Sequence, residues 1–142
     1  MKVVGGAPFM GHDNQQLTSE HAVQTLQHVR SICSVFPLVE EQIDGFGHTS
    51  LRVKDKPFII MGEDKEGVSL SIRTSQSTQE ILLSQVDSLF FKTPYIGQHG
   101  WVTQQIEPPT DWDEIEDLIR EAYLRTAPKK LAALVQDPAG DL

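Results

Sequence analysis

Apolar residues recur at three- and four-residue steps near the start of the chain: Ala22, Leu26, Val29, Cys33 and Phe36. That spacing puts them on one helical face. It predicts a helix over Ser19–Phe36, capped by Thr18 or Ser19 and stopped by Pro37. From Val39 the period falls to two. Val39–Ile43, Thr49–Val53 and Pro57–Met61 read as strands. In Val68–Arg73 the residues Val68, Leu70 and Ile72 alternate with Ser69, Ser71 and Arg73. This predicts an antiparallel meander of three or four strands. A second helix is predicted over Thr78–Asp87. Ser77 and Glu80 would form a capping box, and Ile81, Leu82, Leu83 and Val86 would be buried.

The stretch from Phe90 to Ile106 predicts a β-hairpin. Phe90–Ile96 goes out, Gly97-Gln98-His99-Gly100 turns, and Trp101–Ile106 returns. Val102 and Gln104 should face one side of the return strand, Trp101, Thr103 and Gln105 the other. After Pro108-Pro109 a long helix is predicted from Thr110 or Asp111 to about Thr126. Trp112, Ile115, Ile119, Ala122 and Tyr123 form its apolar face. Glu116–Arg120 and Glu121–Arg125 stand in favourable helical order. Pro128 breaks that helix, and Lys129–Val135 can add a turn or two.

Helices and strands are segregated along the chain, which favours an α+β layer fold over a doubly wound one. The expected architecture is a single compact domain with an antiparallel sheet packed against helices. Its bounds are residues 18–136, between a flexible arm at 1–17 and a frayed end at 137–142. Phe9 and Met10 of the arm are candidates to fold back on the core.

Composition narrows the functional classes. The chain has 142 residues and a formal net charge of -8. Dedicated nucleic-acid binders are usually basic, although a local patch sets the local potential. The single cysteine, Cys33, excludes an internal disulfide and suits a reducing compartment. It reads as a small core residue. No apolar run approaches the roughly 20 residues of a membrane span, and the start of the chain is too weakly apolar for a signal peptide. A cytoplasmic protein without membrane contact is expected.

The chemical motifs are sparse. None of the five histidines forms a close metal-ligand pair with another. Glu40, Glu41 and Asp44 read as a solvated strand edge. The glycines match neither a phosphate loop nor a dinucleotide fingerprint, and no nucleophile elbow is present. No catalytic residue, metal or cofactor is expected, and the chain reads as a non-enzymatic protein. What remains is a basic and aromatic set: Arg52, Lys54 and Lys56; Lys92, Tyr95, His99 and Trp101; Arg125, Lys129 and Lys130. Cations can neutralise phosphates and exposed aromatics can stack on bases. The bland reading is that turn lysines are solvated, Trp101 is core, and Lys129 and Lys130 complement a helix end.

Several segments in order carry a family resemblance. These are Gly47-His48-Thr49-Ser50-Leu51-Arg52-Val53, Lys56-Pro57-Phe58, Pro94-Tyr95-Ile96-Gly97, His99-Gly100-Trp101-Val102, Glu121-Ala122-Tyr123 and Ala127-Pro128-Lys129-Lys130-Leu131. Together, over about Thr18 to Leu134, they resemble the MmcQ/YjbR family. Leu51 stands where members often carry an aromatic, and Ala122 where they often carry serine. The resemblance implies an α-β(3)-α-β(2)-α domain with a secretion-chaperone-like arrangement. It also implies DNA binding through a double-wing motif, and no cofactor. By position the wings would be the Arg52–Phe58 and Tyr95–Trp101 turns. The expected nucleic-acid contacts are Arg52, Lys54, Lys56, Lys92, Tyr95, His99, Lys129 and Lys130. The alternative is a small protein-interaction or chaperone-like module, with a protein partner or a second copy. A third reading, an enzyme acting on a small acidic or phosphorylated ligand, needs His48, Arg52 and His99 around one pocket.

Overall fold

A computed structural model describes residues 14–135. The expectations for Phe9, Met10 and the chain end at 137–142 lie outside the described residues.

Helix α1 spans Glu20–Cys33, and its apolar stripe Ala22, Leu26, Val29 and Cys33 is buried. Ser19 caps it by accepting a hydrogen bond from the Ala22 N–H. The Glu63 carboxylate adds a second cap, accepting from the backbone N–H groups of Thr18 and Ser19. Four strands follow: β1 Val39–Ile43, β2 Thr49–Val53, β3 Lys56–Asp64 and β4 Gly67–Arg73. Lys54 and Asp55, both at positive φ, make the tight β2–β3 turn. Helix α2 spans Gln76–Ser84, strands β5 and β6 are Phe90–Lys92 and Trp101–Gln105, and helices α3 and α4 are Trp112–Thr126 and Lys129–Val135. All six strands form one antiparallel sheet in the order β1-β2-β3-β4-β6-β5.

Alternation gives the sheet two unlike faces. Leu51, Ile59, Leu70, Ile72 and Val102 lie in the buried core together with Ile115, Ile119 and Tyr123 of α3 and the stripe of α1. A register shift at Leu51/Arg52 adds a residue to β3. At such a bulge two successive side chains can share a side. Phe58 and Ile59 accordingly are both fully buried, and the Phe58 ring meets Tyr123 edge-on at 5.5 Å. The opposite positions, Ser50, Ile60, Ser69, Ser71 and Thr103, form a face with no helix over it.

The two long helices run the same way along the strands. His21, near the start of α1, bonds the carbonyl of Ile106, just past the end of β6. The Tyr123 hydroxyl, late in α3, donates to the Pro37 carbonyl at the other end of the sheet (2.6 Å).

Three expectations are corrected. The second helix starts earlier, with Ser75 as its cap, and buries Gln79 and Leu82. Ile81, Leu83 and Val86 are exposed. Three consecutive apolar residues step round a helix by about 100° each, so they cannot share one face. The outgoing hairpin strand ends at Lys92 rather than Ile96. Pro94 has no N–H for a ladder and Tyr95 adopts φ 69°; a 3-10 turn at Gly97–His99 carries the chain back. The two helical ion pairs are replaced by other contacts. Glu121 accepts hydrogen bonds from the Ser75 N–H and the Thr78 hydroxyl, and Arg120 donates to the Val135 carbonyl.

Candidate functional site

The register places the β2–β3 turn and the β5–β6 turn at one end of the sheet. The β2–β3 turn carries Lys54 and Lys56. Across β4 the segment between β5 and β6 carries Tyr95 and His99. In the strand order the turn centres are three strand spacings apart, about 14 Å at ~4.8 Å each. Between them β4 ends in Arg73, paired with Trp101.

The side chains at this end are not equivalent. Lys54, Lys56, Lys92 and His99 are exposed. Tyr95 is 94% exposed. The Arg52 guanidinium is tied into the first turn, donating to the Ser50 hydroxyl (2.9 Å) and the Asp55 carbonyl (3.0 Å). Trp101 is buried, which removes it as a stacking group. Lys129 and Lys130 are exposed on α4, and the structure does not bring them onto the open sheet face. They sit in the helix layer at the same end, because α3 arrives there with Glu121 bonded to Ser75.

Arg73 was absent from the expected contacts. Its Nε is buried without a hydrogen-bond partner. The alternation of Val68–Arg73 already turned it outward, and only the strand order shows that it stands between the two turns.

The second turn is tightly held. The Thr74 N–H and hydroxyl both donate to the Gly100 carbonyl. The Gln79 side-chain amide donates to the carbonyls of Gly97 and Trp101. Gly100 itself has φ 92°, and a Cβ there would collide with the Thr74 carbonyl.

The other end of the sheet is acidic. Asp44, Glu63, Asp64 and Glu66 lie in or beside the β1–β2 and β3–β4 turns, and Asp111, Asp113 and Glu114 open α3. Lys65 is the one lysine or arginine in those turns. Burial works against the charge of Asp44. Hydrogen bonds from the Phe46 and His48 N–H groups, and the adjacent His48 ring, outweigh it and hold the carboxyl below its ordinary range.

A groove of about 780 Å3 crosses the open face between these ends. Ile60, Ser71 and Thr103 belong to its lining, with Phe91 and Ile96 on one side and Phe46 on the other. His48 also lines it. Arg52 lies four residues along β2, about 13 Å away at the strand rise, and neither Arg52 nor His99 lines the groove. The three residues required by the enzyme reading therefore do not converge.

A smaller cleft of about 310 Å3 lies beside α1, bordered by Cys33 and by the Arg30–Glu41 ion pair (2.7 Å). Burial pushes the Cys33 thiol up to about 12, so it is inert as a nucleophile at neutral pH. His28 stacks on Trp112 at 3.8 Å. Among the described residues no cluster of His, Cys, Asp or Glu is placed to hold a metal ion, and no helix is long and apolar enough to cross a membrane.

The fold defines a class: an α+β domain with one face of its sheet under helices and, among the described residues, no helix over the other. The family is shown directly. The YjbR family model matches residues 35–125, and the chain belongs to the YjbR family. A solved structure of Deinococcus radiodurans protein DR2400, carrying a DUF419 domain, is similar with a TM-score of 0.63 and 17% identity. The match covers 70% of this chain and 76% of that one. At that identity the likeness establishes the fold. No curated protein matches the chain.

Proposed function

We propose that the protein is a non-enzymatic binding domain that sets the basic end of its sheet against the phosphate backbone of DNA. The observation that carries this reading is the placement of the Lys54/Lys56 turn and the exposed Tyr95/His99 turn, with Lys92 at its base, at one end, with Arg73 between them. The contacts would be Arg52, Lys54, Lys56, Arg73 and Lys92 on phosphates, His99 beside them, and Tyr95 stacking from the tip of the second turn. Lys129 and Lys130 would extend the field from the helix layer. A spacing of about 14 Å is close to the roughly 12 Å width of a major groove, so the turns can reach phosphates on both of its sides. A cytoplasmic setting goes with this reading and with a free cysteine.

The test is titration of a fluorescent duplex at several salt concentrations. Five phosphate contacts give a slope of log affinity against log salt of about -4 to -5. The double variant Lys54→Ala/Lys56→Ala should lower affinity and reduce the slope by about 2. An absence of binding at low salt would overturn the reading.

One observation favours a protein-interaction module instead. Ile81, Val86 and Leu89 are 60%, 89% and 65% exposed, and they lie on α2 and in the connection to the edge strand β5. A protein that ignores DNA and forms dimers disrupted by Val86→Asp would select that alternative.

A further inference from the structure

The groove on the open face has a charge character opposite to that of the basic end. Asp44, Asp64 and Glu66 line it, with His48 paired to Asp44, and among the described residues no lysine or arginine does. Its floor holds a file of three hydroxyls. Ser71 and Thr103 are 2.8 Å apart, and Thr103 and Thr93 are 2.8 Å apart. Three hydroxyls carry three O–H donors, and two contacts use two of them. Whichever way the file is polarised, one O–H remains. Where it falls on Ser71 or Thr103, each more than nine-tenths buried, leaving it without an acceptor is costly; on Thr93, only partly buried, it faces the groove or solvent. Around the file the surface is apolar: Ile60 on the floor, with Phe91 and Phe46 exposing 41% and 59% of their area.

We infer that this groove binds a small organic cation with an aromatic or apolar body. Its ammonium group lies toward Asp44, Asp64 and Glu66. Its body lies over Ile60 against Phe91, and one acceptor atom takes the free O–H of the Ser71–Thr103–Thr93 file. A volume of about 780 Å3 falls within the range of small-molecule sites, roughly 300–1,000 Å3. Charge complementarity selects a cation, since a carboxylate or phosphate would face Asp64 and Glu66 while the one basic group lining the groove among the described residues, His48, is already paired with Asp44. A compact molecule suits the floor better than an extended peptide, whose successive backbone groups would need more than one unused donor. The groove meets the proposed DNA-contacting end at Tyr95, which lines it, while its acids and its hydroxyl file lie outside that end, so cation binding here does not depend on DNA binding.

The experiment is a backbone amide NMR titration of the full chain with tryptamine. Indole-3-acetate (same ring, opposite charge) and 3-methylindole (same ring, no charge) serve as comparisons. Saturable shifts at Ser71, Phe91, Thr93 and Thr103 are expected with tryptamine, with roughly tenfold weaker binding of indole-3-acetate. The exposed-site variant Asp64→Asn/Glu66→Gln keeps the fold, checked by its own spectrum. It should weaken tryptamine several-fold and leave 3-methylindole unchanged. Tryptamine carries no acceptor, so Thr103→Val should leave it unchanged and should weaken 5-methoxytryptamine, whose ether oxygen can take the free O–H. Equal binding of indole-3-acetate and tryptamine would overturn the inference. So would shifts that map away from the groove, or a blocked Trp-Lys dipeptide binding more tightly than tryptamine.

Discussion

The two faces of the sheet are built from alternate residues of the same strands, yet they have opposite chemistry. On β4, Leu70 and Ile72 are sealed under α1 and α3, while Ser69, Ser71 and Arg73 look the other way. The covered face holds the fold together by apolar burial. The open face keeps polar groups with capacity left over, namely the free O–H of the hydroxyl file and the unpartnered Arg73 Nε. Side chains that stabilise the domain and side chains proposed to meet ligands are therefore interleaved at single-residue spacing. A one-residue slip of register would exchange their roles.

The sharpest way to break this contrast is to truncate the covered face. Phe58→Ala removes a fully buried ring that packs on Tyr123. It should cost about 3–5 kcal/mol of stability, read by urea denaturation. Gly100→Ala comes next. It forces a side chain into left-handed backbone and against the Thr74 carbonyl. A loss of about 1–3 kcal/mol is expected, together with weaker DNA binding, because the second turn is displaced. Lys54→Ala/Lys56→Ala should leave stability within about 0.5 kcal/mol while DNA affinity falls. If it lowered the melting temperature as strongly as Phe58→Ala, the division between the faces would fail.

The smallest effect is on pH dependence. The Glu41 carboxyl is held low by its hydrogen bonds with Arg30, and the Glu63 carboxyl by its hydrogen bonds from Ser19 and Thr18 at the start of α1. Asp44 is also held low, with burial opposing its hydrogen bonds. Groups depressed in the folded state bind fewer protons there than in the unfolded chain. Their stabilisation is present above the ordinary carboxylate pKa of about 4 and is lost as pH falls below it. Denaturation between pH 6 and 3 should show a modest decline. Glu63→Gln should flatten that decline in part.

Much of the covered face was legible in sequence because burial imposes a period. The α1 stripe and the alternation of Val68–Ile72 match the structure residue by residue, and so does the split of Val102 and Gln104 from Thr103 and Gln105. The misreadings fall where a single long-range contact overrides local pattern. Gln79 takes an inward position in α2 that apolar neighbours would otherwise claim, because its amide satisfies two carbonyls of the Gly97–Trp101 segment. Glu121 turns from its helical neighbour toward the exposed N–H of Ser75. The candidate site was legible as a set of residue types, and not as an arrangement. Strand order brings Lys54 and His99 to the same end and sets Arg73 between them. His48 just before β2 and Arg52 within it, by contrast, are held apart by their four-residue spacing, which the sequence already reports.

The bonds that close the second turn bear on how it can recognise anything. Thr74 and Gln79 hold the carbonyls of Gly97, Gly100 and Trp101 before any partner arrives. The conformational entropy of that segment is lost during folding, so little remains to be lost on association. Such a preorganised turn offers a rigid tip with an exposed Tyr95. It should discriminate by the shape of what it meets more than by moulding itself to it, and its backbone amides should exchange with solvent no faster when free than when bound.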